Sequence, residues 1–177
     1  MKQINLYDKN IREEIKSLKA GEQILLSGTV YTSRDAAHKR IMKAIEEGRE
    51  LPFEIDGAAI YYAGPTPERE GTVIGSCGPT TSSRMDIFTP TLMEKGLLLT
   101  IGKGDRSEYV REAIKKHGGA YLCAIGGCGA TACKCIKECE VVAYKDLGCE
   151  SVKRLYVENF PLYVAYDSEG GSIFNKN

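Results

Sequence analysis

Apolar residues recur along this chain with two alternating periods, one helical and one extended. Ile11, Ile15 and Leu18 fall at helical spacing, and Gly21 supplies a C-terminal stop. Residues 23–31 follow as a strand with an Ile24-Leu25-Leu26 start and a β-branched end. Ser33 is placed to cap a helix whose buried stripe is Ala37, Ile41, Ala44 and Ile45, ending near Gly48. Residues 58–62 read as a strand stopped by Gly64-Pro65, and Thr72-Val73-Ile74 as a further short strand. Met85, Phe88 and Leu92 form one face of a helix that Pro90 leaves ill-defined at its start and Gly96 closes.

The uniformly apolar Leu97-Leu98-Leu99-Thr100-Ile101 predicts a central strand. Tyr109, Val110, Ala113 and Ile114 predict a helix stopped at Gly118-Gly119, followed by a strand over 121–125. A glycine- and cysteine-rich turn then leads into a helix spanning 130–141. Strands over 141–144, 152–157 and 163–166 and a short one over 172–174 complete the chain. Strands and helices alternate, so the class is α/β, while the strands clustered at the end depart from a clean doubly wound sheet.

Composition narrows the function. The 177 residues suffice for one domain over 1–177 with a substantial core. Twenty-four basic residues balance twenty-four acidic ones, which argues against nucleic acid or an anionic membrane as the partner of the whole surface. The segment Met1 to Asp8 lacks the apolar core of a signal peptide, and the expected location is the cytoplasm.

Three polar turns follow apolar strands. They are Thr32-Ser33-Arg34-Asp35-Ala36-Ala37-His38-Lys39-Arg40, Gly75-Ser76-Cys77-Gly78-Pro79-Thr80-Thr81-Ser82-Ser83-Arg84-Met85-Asp86, and Gly102-Lys103-Gly104-Asp105-Arg106-Ser107. Glycine permits close backbone approach, hydroxyls and freed amides donate, and arginine grips a carboxylate with two parallel bonds. Together they suggest one anionic site with Arg34, Arg84 and Lys103 as cations and His38 one helical turn beyond Arg34. The alternative is that Arg34 and Arg84 fix their turns through salt bridges, with Asp35 or Asp86 as partners. Gly102-Lys103-Gly104 lacks the spacing of a P-loop.

The seven cysteines, Cys77, Cys123, Cys128, Cys133, Cys135, Cys139 and Cys149, raise a different question. Without a secretory signal they do not read as a disulfide framework, and Cys128-x4-Cys133-x-Cys135-x3-Cys139 departs from the paired Cys-x2-Cys metal pattern. On a helix over 130–141, Cys135 and Cys139 would share a face as small hydrophobes; an iron–sulfur or zinc site and redox chemistry are the alternatives.

The stretches around Arg34, Thr80 to Asp86 and Lys103, with Asp146-Leu147-Gly148-Cys149-Glu150-Ser151-Val152 and Phe160-Pro161, resemble the class I fumarase and L-tartrate dehydratase family. The match is to its beta subunit, equivalent to the C-terminal domain of single-chain members. The resemblance implies a swivelling β/β/α-type domain with mixed sheets and flanking helices. It implies an iron–sulfur hydro-lyase interconverting fumarate and L-malate, active only with an alpha partner that carries the [4Fe–4S] cluster, so that this chain supplies no metal ligand. It also implies that Arg34, Arg84 and Lys103 bind the dicarboxylate, that Thr80 is the catalytic base, and that His38 belongs to the pocket. The expected assembly is a hetero-oligomer. An L-tartrate dehydratase beta subunit, a non-catalytic dicarboxylate-binding module and a purely structural cysteine-rich domain are the alternatives. Ser82 and Ser83 stand where the family turn often has alanine and glycine.

Overall fold

The structure is a computed structural model that describes residues 1–124 and 129–174. Strand β1 (Lys2–Asn5), which the hydrophobic pattern did not reveal, pairs in parallel with β2 (Gln23–Thr32). Helix α1 (Ile11–Ser17) connects them. Alternate positions of β2 are buried from Ile24 to Thr32, as a half-covered strand requires. Helix α2 (Asp35–Glu46) buries Ala37, His38, Ile41 and Ala44 against the sheet. Strand β3 (Ala59–Tyr61), helix α3 (Thr89–Glu94), strand β4 (Leu99–Gly102) and helix α4 (Glu108–His117) follow. Next come β5 (Ala120–Ala124), α5 (Gly129–Cys135), β6 (Ile136–Ala143) and β7 (Val152–Tyr166).

The seven strands run in the order β1-β2-β3-β4-β5-β7-β6, and β7 also pairs with β2. The pairings β2–β3–β4–β5–β7–β2 therefore close a ring. β2 to β5 are mutually parallel along it, and β7 is antiparallel to β2, β5 and β6. The fold is mixed α/β, with a seven-stranded sheet and flanking helices. Two apolar layers hold it together. One gathers Leu26, Tyr61, Ile101, Leu122, Phe160 and Val164. The other lies beneath the helices and joins Ile41, Tyr62, Met85, Leu92, Ile114 and Tyr121.

Four local expectations are corrected. Residues 72–74 form no strand; they lie in a loop closed by amide bonds between Thr66 and Ser76 (3.0 Å) and between Gly75 and Thr66 (3.1 Å). The helix expected over 130–141 stops at Cys135, and β6 runs on in antiparallel register with β7. Cys135 and Cys139 thus share no helical face. The two strands expected over 152–157 and 163–166 are one strand, bulged where Asn159 adopts φ 50°. Residues 172–174 contribute only an isolated bridge between Tyr166 and Ser172.

Pro90 sits in the first turn of α3, where its missing N–H costs nothing, so the helix starts at Thr89 and not at Met85. Ile125 and the turn Gly126-Gly127-Cys128 lie outside the described residues. Among the described residues, no helix is long and apolar enough to cross a membrane.

Candidate active site

Parallel strands place all their C-terminal ends on one edge, the usual position for ligand loops in an open α/β sheet. Here β2, β3 and β4 end side by side, and their following turns are stitched together by backbone bonds. Ser33 N–H donates to the Tyr61 carbonyl (3.1 Å), Tyr62 N–H to Ile101 (2.8 Å), Thr80 N–H to Tyr62 (2.7 Å) and Ser82 N–H to Lys103 (3.0 Å). The three polar turns singled out in the sequence thus meet on one rim.

Arg34 is the N-cap of α2. Its side chain lies along Gly64, where an added Cβ would come within 3.0 Å of Nη1 and 3.1 Å of Cδ. Its Nε is 4.0 Å from Glu150 Oε1. Arg84 emerges from a 3₁₀ turn over Ser82–Met85. Its Nη2 donates to Thr80 Oγ1 at 2.8 Å and stands 3.3 Å from Asp35 Oδ2. Asp35 follows Arg34 directly, so the carboxylate links the two arginine-bearing turns. Lys103 is exposed at the end of β4 and forms a backbone bridge with Thr81. Thr80, Arg84 and Lys103 therefore belong to one small unit with Arg34 across Asp35. The salt-bridge alternative is realised beside this arrangement, since Asp35 does contact Arg84.

His38 is elsewhere. Its ring is fully buried, with Phe88 and Tyr62 at centroid distances of 5.4 and 5.6 Å. Nδ1 lies 2.7 Å from Ser33 Oγ and 3.0 Å from the Arg34 carbonyl. Burial, helped by the charge of Arg106 and opposed by the Arg34 carbonyl, pushes its pKa down from 6.5 to about 4. The imidazole is neutral at ordinary pH and supports the Ser33–Arg34 turn from beneath, while its Nε2 is buried without a hydrogen-bond partner among the described residues.

A network legible only in three dimensions holds the rim in shape. The carboxylate next to the Arg84 turn, Asp86, is paired with Arg106. Arg106 Nε donates to Asp86 Oδ1 at 2.6 Å, and Ser107 N–H donates to Asp86 Oδ2 at 2.7 Å. The remaining guanidinium nitrogens donate to Thr100 Oγ1 (3.1 Å), Thr89 Oγ1 (2.8 Å) and the Tyr62 hydroxyl (3.2 Å). Both ions are essentially inaccessible, yet every guanidinium nitrogen is used, the condition under which a buried pair is tolerated. The pair ties the Thr80–Asp86 turn to the β4–α4 connection, the two segments that carry Arg84 and Lys103.

Gly102 completes that junction. A Cβ there would overlap Ser82 Oγ and lie 2.9 Å from Tyr62 Cδ2. The sequence offered Asp86 and Arg106 within its polar turns, but no local spacing joins residues twenty positions apart.

The cleft of about 840 Å³ lies away from this rim, whereas that of about 410 Å³ abuts it behind Arg34, where Pro65 and Cys149 adjoin Gly64 and Glu150. The first is lined by residues including Tyr7, Tyr31 and Tyr156, the second by Pro65, Cys139, Cys149 and Lys153. The cationic site is an open surface on this chain. Among the described residues, no group of three or more His, Cys, Asp or Glu side chains is placed to hold a metal ion, and no disulfide joins the cysteines. Cys128, the first thiol of the run Cys128-x4-Cys133-x-Cys135-x3-Cys139, lies outside the described residues.

The family model for the fumarase C-terminus matches residues 1–177. The chain belongs to the fumarase C-terminus family. It is 39% identical over 170 residues to a protein named "Fumarate hydratase class I, anaerobic" of Escherichia coli, covering 95% of this chain and 31% of that protein. Similarity to "Fumarate hydratase 2" of Leishmania major is 38% over 168 residues, covering 94% and 30%. A "Putative L(+)-tartrate dehydratase subunit beta" of Methanocaldococcus jannaschii is 36% identical over 176 residues, and there the match covers 96% of this chain and 90% of the relative. The fumarase-family chain thus spans under a third of these two fumarate hydratases but most of a relative named as a separate subunit.

Proposed function

We propose that this chain is the beta subunit of an iron–sulfur-dependent fumarate hydratase that interconverts fumarate and L-malate in the cytoplasm. The observation that carries the reading is the convergence of Arg34, Thr80, Arg84 and Lys103 on one open rim in a chain matching a C-terminal portion of hydro-lyase relatives. The other wall of the site and the [4Fe–4S] cluster would come from an alpha subunit, forming a hetero-oligomer. When bound there, the cluster would act as Lewis acid toward the departing hydroxyl.

This chain's part follows from its own groups. Arg34 and Lys103 bind substrate carboxylates, and Arg84 does so with the guanidinium edge not turned to Thr80. Removing a proton beside a carboxylate builds negative charge on it, so fixed cations hold the transition state more tightly than the ground state. Thr80 Oγ1 takes that proton. A threonine hydroxyl is ordinarily a poor base, but the Arg84 bond at 2.8 Å favours its deprotonated form. His38 acts from beneath by fixing Ser33 and the Arg34 carbonyl.

A second reading, L-tartrate dehydratase beta subunit, is favoured by the 90% coverage of the relative so named. Anaerobic co-expression with the alpha partner, cluster reconstitution and parallel assays with malate, fumarate and both tartrates decide between them. Preferential malate and fumarate turnover is the expected result; predominant tartrate turnover selects the second reading. Absence of turnover by a cluster-loaded complex would return the chain to a dicarboxylate-binding or structural role. Arg34→Ala and Arg84→Ala should each lower kcat/KM by roughly 100-fold or more with the fold intact. Near-normal kinetics would remove that residue from the site.

A further inference from the structure

Two buried atoms of opposite charge face each other behind the rim without a hydrogen-bond partner among the described residues: Arg34 Nε and Glu150 Oε1, 4.0 Å apart. A buried charged group normally finds a partner, because leaving it unmade forfeits its solvation. The separation is only about 1 Å beyond a charge-assisted bond.

The backbone that presents Glu150 is firmly held. It ends a 3₁₀ segment, Lys145–Glu150, kinked at Gly148 (φ 62°, ψ −121°), with the exposed Asp146–Arg40 ion pair at its start. Lys153 Nζ donates to Ser151 Oγ at 2.8 Å and to the Cys149 carbonyl at 3.3 Å. Thr32 Oγ1, at the end of β2, donates to the Ser151 carbonyl at 3.3 Å. On the other side Gly64 leaves just enough room for Nη1 and Cδ of Arg34.

We propose that Glu150 and Gly64 form a socket that orients Arg34, Glu150 fixing the Nε edge so that the terminal nitrogens face the substrate carboxylate. The inference rests on the proposed dicarboxylate site. Guanidinium offers separate hydrogen-bonding edges, so a carboxylate on one need not compete with a ligand on another. Glu150 is a positioning residue, acting through Arg34 without touching substrate. The opposite role, an internal carboxylate that masks Arg34, predicts the reverse sign when its charge is removed.

The test uses the reconstituted complex and the variants E150Q, G64A, R34A and R34A/E150Q. E150Q is nearly isosteric, and thermal unfolding checks that each variant is folded. The socket predicts that E150Q raises KM roughly tenfold while kcat changes by less than about threefold. G64A should raise KM in the same direction, and E150Q should add less than about twofold in the R34A background. An unchanged or lower KM in E150Q, a normal KM in G64A, or effects of R34A and E150Q that multiply would overturn it.

A second readout needs no turnover. The Arg34 Nε–H resonance of the ¹⁵N-labelled chain, assigned by its loss in R34A, should exchange with solvent roughly tenfold faster in E150Q. Unchanged exchange overturns the Arg34–Glu150 coupling. A wild-type complex that turns over no dicarboxylate sinks the functional reading instead, while the exchange measurement still decides the socket.

Discussion

Acidification should destabilise this protein through His38, most cleanly above about pH 5, where carboxylates have taken up few protons. The imidazole is enclosed, and its pKa falls from 6.5 to about 4 on folding because burial disfavours the charged ring. The native state therefore holds fewer protons than the unfolded chain between these values. Stability from the neutral ring is fully present above pH 6.5, is lost as pH falls through the interval, and changes no further below about 4. At 1.36 kcal/mol per pH unit the loss totals roughly 3 kcal/mol, a large share of the 5–15 kcal/mol typical of a domain.

Urea unfolding followed by far-ultraviolet circular dichroism at several values between about pH 7 and pH 5 measures the slope. His38→Asn is the reference: its amide can reach Ser33 Oγ and the Arg34 carbonyl but takes up no proton. Wild type should lose about 2 kcal/mol more than the variant over the upper part of the window. Parallel stability profiles would refute the argument, because they would mean that the native ring is protonated as easily as the unfolded one.

Asp86→Asn should cost about 3–5 kcal/mol in urea unfolding, since it leaves Arg106 charged and buried beside an imperfect partner; a loss below about 1 kcal/mol would deny the pair its structural role. Gly102→Ala forces a Cβ onto Ser82 Oγ and Tyr62 and should lower the melting temperature by several degrees while weakening dicarboxylate turnover; a wild-type melting curve would show that the junction yields freely. Arg40→Ala, by contrast, removes an exposed partner of Asp146 and should leave the urea unfolding midpoint close to wild type, with added salt abolishing most of what difference remains; a large, salt-independent shift would contradict this.

The chain revealed its elements where burial is local and periodic. The stripe Ala37, Ile41, Ala44 marked α2, and the apolar run ending at Ile101 marked β4, which lies between β3 and β5 with all four residues buried. It misled where the partner is distant. Ile136 to Ala143 has neither a clear alternation nor a helical stripe, and only pairing with β7 makes it a strand. The strands expected over 152–157 and 163–166 run together through Pro161, which sits within β7 opposite Leu25.

The site divides in the same manner. Arg34, Thr80, Arg84 and Lys103 advertise themselves as polar chemistry set after apolar strands. Asp86–Arg106 and Arg34–Glu150 depend on separations that no sequence period encodes. His38 had the right spacing to accompany Arg34, and it does so from beneath, buried against Tyr62 and Phe88 with Nδ1 on the Arg34 carbonyl.

Ring closure has a consequence for biosynthesis. Residues 23–31 leave the ribosome long before residues 154–163 with which they pair, and β5 and β6 await the same late strand. Until β7 is made, the nascent sheet carries three unfilled edges, an arrangement that invites strand exchange with neighbouring chains and favours escort by chaperones. Such long-range closure also slows folding, so the sheet beneath the arginine-bearing rim is completed only after β7 has emerged.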